Sequence, residues 1–251
     1  MNYRFIKIIA VTLLLSFTSC MGKSITIRKN PNFNPAEIYS RNIVILPTEA
    51  TVHAIGFNWD KKQMHDYEYY IEDIINQAIL MQLEKNNIRP ALISNKNIHE
   101  KALSRQILAL KENYKYNIDE LYKSDLMNEN KACSINNNIG KHNVILNGNN
   151  ELWLLINYVA NVKTNNAIAR DFMIDALLGS KYSEDADVEK MIVALVDSRS
   201  GDILWSNIVK VKNDPLMNAF KKLSLTNEEI DRKKADYITE KVLRPLFNSK
   251  K

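Results

Sequence analysis

Residues 190 to 211 read KMIVALVD, SRSGD, ILWSNIVKV, and they narrow the possible folds more than any other stretch. Two apolar runs rich in β-branched residues flank a short polar segment that carries Gly201 where a tight turn needs positive φ. The pattern predicts two antiparallel neighbouring strands, so the fold contains a sheet.

The rest of the chain supplies partners for that hairpin. NIVILP at 42 to 47 reads as a buried strand closed by Pro47, and a loop with Gly56, Phe57 and Trp59 follows. From Asp66 the period changes: Tyr67, Ile71, Ile74, Ile75, Ala78, Ile79 and Leu83 fall on one helical face, and Asn86-Asn87 ends the helix. IRPALI at 88 to 93 reads as a second strand, which makes a strand, helix, strand crossover. Asn95 is placed to cap another helix that buries Ile98, Ala102, Ile107 and Leu110.

Nine asparagines between Asn128 and Asn150 mark a loop or hairpin. LWLLINYVANV at 152 to 162 is the longest strand; its apolar start predicts burial on both faces, and Asn157 and Asn161 then break the pattern. Residues 167 to 178, AIARDFMIDALL, predict an amphipathic helix inside an insertion spanning 164 to 187. Glu228 to Phe247 closes the chain as a helix with Ile230, Ala235, Ile238 and Val242 inward, interrupted near its end by Pro245. The expected fold is α/β: a mixed sheet of about five strands with flanking helices, one antiparallel C-terminal hairpin and a helical insertion.

The N-terminus bears on location. Residues 13 to 24, LLLSFTSCMGKS, contain GKS, but the phosphate-loop motif needs glycine where Phe17 stands. The apolar run from Ile8 to Leu15 falls short of the ~20 residues that a spanning helix requires. A basic start at Arg4 and Lys7, a short apolar centre and small residues have the layout of a secretory signal. With Cys20 directly after Thr18-Ser19, the stretch resembles a bacterial lipoprotein lipobox, although Phe17 stands where leucine is usual. That resemblance implies cleavage before Cys20 and its lipidation, and Met21 in place of aspartate implies delivery to the outer membrane. The expected organisation is a signal peptide at 1–19, a lipidated tether at 20–41 and a single periplasmic α/β domain at 42–251.

Charge and reactive residues exclude more than they assign. The formal net charge is +5, and loss of Arg4 and Lys7 with the leader lowers it to +3, too mild to point to nucleic acid. Arg232-Lys233-Lys234, the densest basic group, lies among Glu228, Glu229, Asp231 and Asp236, as on a solvated helix face. Lipidation of Cys20 leaves Cys133 without an intramolecular disulfide partner. His53, His65, His99 and His142 have no metal-ligand spacing, so neither a metal nor another cofactor is expected. Asp171 and Asp175, one helical turn apart, are the nearest approach to a catalytic carboxylate pair.

Cys20, the strand Asn42 to Pro47, and ALVDSRSGDILWSN with Asp197, Gly201, Ile203 and Trp205 together resemble one group of envelope lipoproteins. The group includes the curli secretion channel subunit and the penicillin-binding-protein activator lipoproteins. The resemblance runs over nearly the whole chain after the leader, and implies a membrane-anchored domain that binds or scaffolds an envelope protein without catalysis. Its implied partners are the membrane, through the lipid anchor, an envelope protein, and further copies of the chain as a homo-oligomer. The channel subunit inserts pairs of long alternating strands into the membrane, whereas residues 164 to 187 hold helix-patterned sequence, so a pore is not implied. The alternative function is an envelope hydrolase acting on cell wall or lipid. Two surfaces are candidates for partner binding: Ile168, Phe172, Ala176 and Leu177 on the insertion, and Phe57 and Trp59 in the loop after the first strand.

Overall fold

The computed structural model describes residues 27–93, 98, 103–123, 138–139, 151–164, 166–167, 169–170, 173–174, 188–212 and 227–248. Its strands are β1 (Ile27–Lys29), β2 (Asn42–Ile45), β3 (Glu49–Ile55), β4 (Lys61–Gln63), β5 (Ala91–Leu92), β6 (Glu151–Lys163), β7 (Val188–Asp197) and β8 (Ile203–Lys212). Its helices are α1 (Glu37–Ser40), α2 (His65–Lys85), α3 (Ser104–Lys123) and α4 (Asn227–Phe247). The eight strands form one open, mixed sheet, so the α/β class stands with three more strands than expected.

The order β1-β8-β7-β6-β2-β5 puts the predicted hairpin next to the long central strand. β6, β7 and β8 run antiparallel, and Gly201 takes φ 78° in the turn. Asp197 is occupied by that turn: its Oδ1 accepts the N–H groups of Arg199 (2.8 Å) and Ser200 (3.2 Å), and Oδ2 accepts Nη1 of Arg41 (2.6 Å). Burial pushes the Asp197 carboxyl pKa upward, but the Arg41 bond and the two N–H donors outweigh it and the net shift is downward.

Along its other edge β6 pairs in parallel with β2 from Glu151 to Leu154 and with β3 from Asn157 to Lys163. The expectation that Pro47 ends the strand into a loop is corrected here. β2 and β3 are two halves of one path interrupted at Leu46-Pro47-Thr48, because proline has no N–H for the ladder and the chain resumes beyond it. The lead-in expected to be a tether through residue 41 is also corrected for its described part. Ile27–Lys29 pairs with the edge of β8, and Phe33 and Ile38 are buried in the core. The strand expected over 88 to 93 is only Ala91–Leu92, parallel to β2, since Pro90 has no N–H to contribute. α4 runs through Pro245 to Phe247; burial of Val242, Leu243 and Leu246 outweighs the one helical bond that proline cannot donate.

The helices make three layers. On one face α2 buries Ile71, Ile74, Ile75, Ala78, Ile79 and Leu83 against Leu152, Leu154 and Ile156 of β6, joined by Ala235, Ile238, Val242 and Leu243 of α4. Trp205 is fully buried in this cluster and belongs to the core. On the other face α3 sets Ile107, Leu110, Tyr114 and Ile118 against Trp153, Leu155, Ile192 and Ala194. The start of this helix expected at Asn95 lies outside the described residues, as do Ala102, the VILNGNN segment, Cys133, His99 and His142.

Candidate functional site: an aromatic hairpin tip

β3 and β4 pair antiparallel with His53 opposite Gln63 and Ile55 opposite Lys61. Five residues, Gly56 to Asp60, make the turn, closed by Gly56 N–H to Asp60 O at 2.9 Å and Trp59 N–H to Gly56 O at 3.3 Å. A Cβ on Gly56 would lie 2.3 Å from Oδ1 of Asp60, so only glycine lets that carboxylate fold over the turn. Trp59 adopts φ 63°, a left-handed conformation that is strained for a bulky L-residue and persists where the surroundings enforce it.

Arg170 does the enforcing. The residue is 5% exposed, and Nη1 donates to the carbonyls of Gly56 (3.1 Å) and Phe57 (2.7 Å). Its Cζ lies 3.6 Å from the centroid of the Trp59 ring, close enough for a cation–π contact. Arg170 is positioned from the end of β6: Thr164 bonds the Ile55 carbonyl through both N–H and Oγ1 at 3.0 Å, and Oγ1 accepts the Ala167 N–H at 3.3 Å. That last bond is the N-cap arrangement. Asn166, Ala167, Ala169, Arg170, Met173 and Ile174 have helical backbone, as the amphipathic pattern predicted.

The base of the hairpin is bolted to α2 by a buried carboxylate. Glu68 accepts the Val52 N–H (2.9 Å), Nε2 of Gln63 (3.0 Å) and a contact from Nδ1 of His65 (3.0 Å). Burial acts to raise the Glu68 pKa, but the bonds from Val52, Gln63 and His65 prevail and hold it below the usual range.

Phe57 is 47% exposed and Trp59 48% exposed, with Lys61 and Lys62 exposed on the adjacent strand. The tip therefore presents two aromatic rings on a backbone held from two sides, bordered by cations. Aromatic residues and arginine dominate the energetic centres of protein interfaces, and a prearranged loop loses little entropy on binding. Of the two expected surfaces, this one is described by the structure. Ile168, Phe172, Ala176 and Leu177 lie outside the described residues, as do Cys20 and the pair Asp171 and Asp175.

Arg170 and Glu68 escaped the sequence reading because their partners are far along the chain or depend on the hairpin. A second polar cluster escaped it too. Tyr67 Oη donates to Oδ2 of Asp231 (2.7 Å), and Nζ of Lys234 bonds Oε1 of Glu189 (3.2 Å) beside Tyr158. Burial, with a lesser contribution from Glu189, raises the Asp231 carboxyl. Burial first, and then Asp231, pushes the Tyr67 hydroxyl well above its ordinary value. The cavity they border has about 30 Å³ of free space, room for a water or two. Among the described residues no group of three metal-ligating side chains converges, and no helix is long and apolar enough to cross a membrane.

No protein-family model matches the chain, and no curated protein matches its sequence. Among solved structures, the PelC dodecamer from Paraburkholderia phytofirmans aligns over 88% of this chain and 94% of that one, at 11% identity and a TM-score of 0.36. A single-substitution variant of that dodecamer aligns over 88% and 98%, at 10% identity and a TM-score of 0.33. Likeness at this level carries nothing about what this chain binds or how it assembles.

Proposed function

We propose that the protein is a noncatalytic binding or scaffold module of the bacterial envelope, anchored through lipidated Cys20, with its domain in the periplasm at the outer membrane. It engages an envelope protein of cell-wall synthesis, secretion or assembly through the Phe57 and Trp59 tip. The observation that carries the binding role is the Arg170 clamp, which holds Trp59 half-exposed in a strained backbone. Strain kept at an exposed aromatic residue serves contact better than folding. The anchor rests on the layout of residues 1 to 21 and on the lipobox resemblance.

In-cell photocrosslinking from position 57 tests the binding role. A discrete crosslinked species is expected, and Trp59→Ala should abolish it while leaving the domain folded, at a cost of about 1 kcal/mol for the lost cation–π contact with Arg170. An unchanged crosslink pattern in Trp59→Ala rejects the tip as the contact surface. A species at twice the chain mass identifies the partner as a second copy of this chain. Cys20→Ala tests the anchor separately: palmitate incorporation should be lost and the chain should remain an uncleaved precursor or become a soluble periplasmic form, since stable attachment of the cleaved chain needs acyl chains worth ~0.8 kcal/mol per buried CH₂. Release of fragments from purified cell-wall sacculi by the protein would overturn the noncatalytic reading.

A further inference from the structure

Strand pairing fixes the end of the sheet from which the lead-in departs. β1 runs antiparallel to β8, β8 to β7 and β7 to β6, whereas β3 runs parallel to β6. Followed backwards from Lys29 to Ile27, the chain therefore heads for the end where Val188, Lys163 and Ile55 lie, and that end carries the aromatic tip. Ile27 stands opposite Asn207, which aligns through Val193 with Ile156 of β6. From that level to Lys163, the partner of Ile55, are seven residues, or about 23 Å of strand. Seven residues also lead from Ile27 back to Cys20, and they span at most about 25 Å. The direction of β1 aims the lead-in at the tip end, and its length leaves no slack: an acylated Cys20 reaches the level of Ile55 and little beyond.

The surface at this end suits a bilayer. Four of the eleven exposed large hydrophobic side chains among the described residues gather there: Phe57 and Trp59 in the turn, Val162 beside Ala54, and Met173 one helical turn beyond Arg170. Lys61 and Lys62 are exposed next to them, and Asp60 is the one acid from Gly56 to Met64. Aromatic rings at headgroup level with cations toward anionic lipid are the composition of a membrane–water interface. A turn that leaves water must also satisfy its own backbone. Here Arg170 takes the carbonyls of Gly56 and Phe57, and the N–H groups of Gly56 and Trp59 bond within the turn.

We propose that the tip rests in the headgroup layer of the membrane that holds the Cys20 acyl chains, with Phe57 and Trp59 among the headgroups and Lys61 and Lys62 against anionic lipid. This placement rests on the Cys20 anchor proposed above and deepens the role of the tip, whose protein contact is then made at the bilayer surface. Anchor and tip together hold the domain in one orientation, as two membrane contacts do where one leaves it free to swing.

The chain's three tryptophans make a direct test, because Trp153 and Trp205 are fully buried and Trp59 alone is placed to meet lipid. The acylated protein, purified from membranes, is reconstituted in vesicles of phosphatidylethanolamine and phosphatidylglycerol, with and without acyl chains brominated near the headgroup. Tryptophan emission is expected to fall with the brominated lipid, and the fall should vanish in Trp59→Phe. The double variant Lys61→Gln, Lys62→Gln should quench no more than the wild type does in vesicles without phosphatidylglycerol. Acylated protein whose emission the brominated lipid leaves unchanged overturns the proposal while the anchor stands, and the tip is then a protein contact only. Quenching that survives Trp59→Phe, or that is unchanged in the lysine variant, also overturns it. Cys20 found by mass spectrometry to carry no acyl chain overturns the anchor itself, and this placement of the tip with it.

Discussion

The two faces of β6 begin alike and end differently. Toward α2 and α4, Leu152, Leu154, Ile156, Tyr158 and Ala160 are all buried. Toward α3, Trp153 and Leu155 are buried, but Asn157, Val159 and Asn161 are only half-buried. Two helices of 21 residues cover the first face, whereas among the described residues α3 alone packs on the second. The polarity of alternate residues along one strand thus records where helical cover stops.

Within β6 itself, the two halves of the α3 face should respond very differently to substitution. Leu155→Asn should cost about 4 kcal/mol in urea unfolding, from lost burial and a polar group placed in an apolar cluster. Asn157→Leu, two residues on and on the same face, should change stability by less than about 0.5 kcal/mol. Equal costs would mean that both halves of this face are core.

Each face also holds one fully buried tryptophan, in different circumstances. Nε1 of Trp153 donates to Oε2 of buried Glu151 at 3.2 Å, whereas Nε1 of Trp205 has no hydrogen-bond partner among the described residues. Both lose similar volume on replacement by phenylalanine. Trp153→Phe should therefore cost more than Trp205→Phe by about 1 kcal/mol, the worth of one buried bond, in the same unfolding assay. Equal costs would show that the Glu151 bond contributes nothing net.

An effect of similar size, and dependent on pH, concerns the hairpin that bears the aromatic tip. Glu68→Gln should cost about 1 kcal/mol at neutral pH, since Gln can keep some but not all of the bonds from Val52, Gln63 and His65. The folded pKa of Glu68 is depressed, so its contribution is fully present above a free glutamate's value of ~4.3. It is lost as pH falls from there through the folded value. The gap between the two proteins should narrow as pH falls below the free glutamate value, and a gap that stays constant with pH would assign the effect to packing.

The parts legible in the sequence are those whose physics is local. The Gly201 hairpin, the helix from His65 to Lys85 and the terminal helix each carry a turn residue or a period that needs no distant partner. Phe57 and Trp59 stood out for the same reason, as two aromatics after a strand end. β3 was missed although EATVHAI alternates apolar residues with Glu49, Thr51 and His53, the period of a half-buried strand, because Pro47 just before it reads as the end of strand pairing. β1 was missed because three residues carry too little pattern to announce an edge strand.

The amino-acid sequence by itself determined the α/β class, the central antiparallel hairpin and the aromatic residues available for contact, because backbone preference and hydrophobic period act over a few neighbouring positions. Only the tertiary structure decided that Arg170 reaches back 113 residues to clamp Phe57, that Pro47 joins two strands along one edge of β6, and that Tyr114 buries a hydroxyl without a partner. Those outcomes depend on which surfaces the folded sheet brings together, and pairing between distant segments leaves no period in the chain to read.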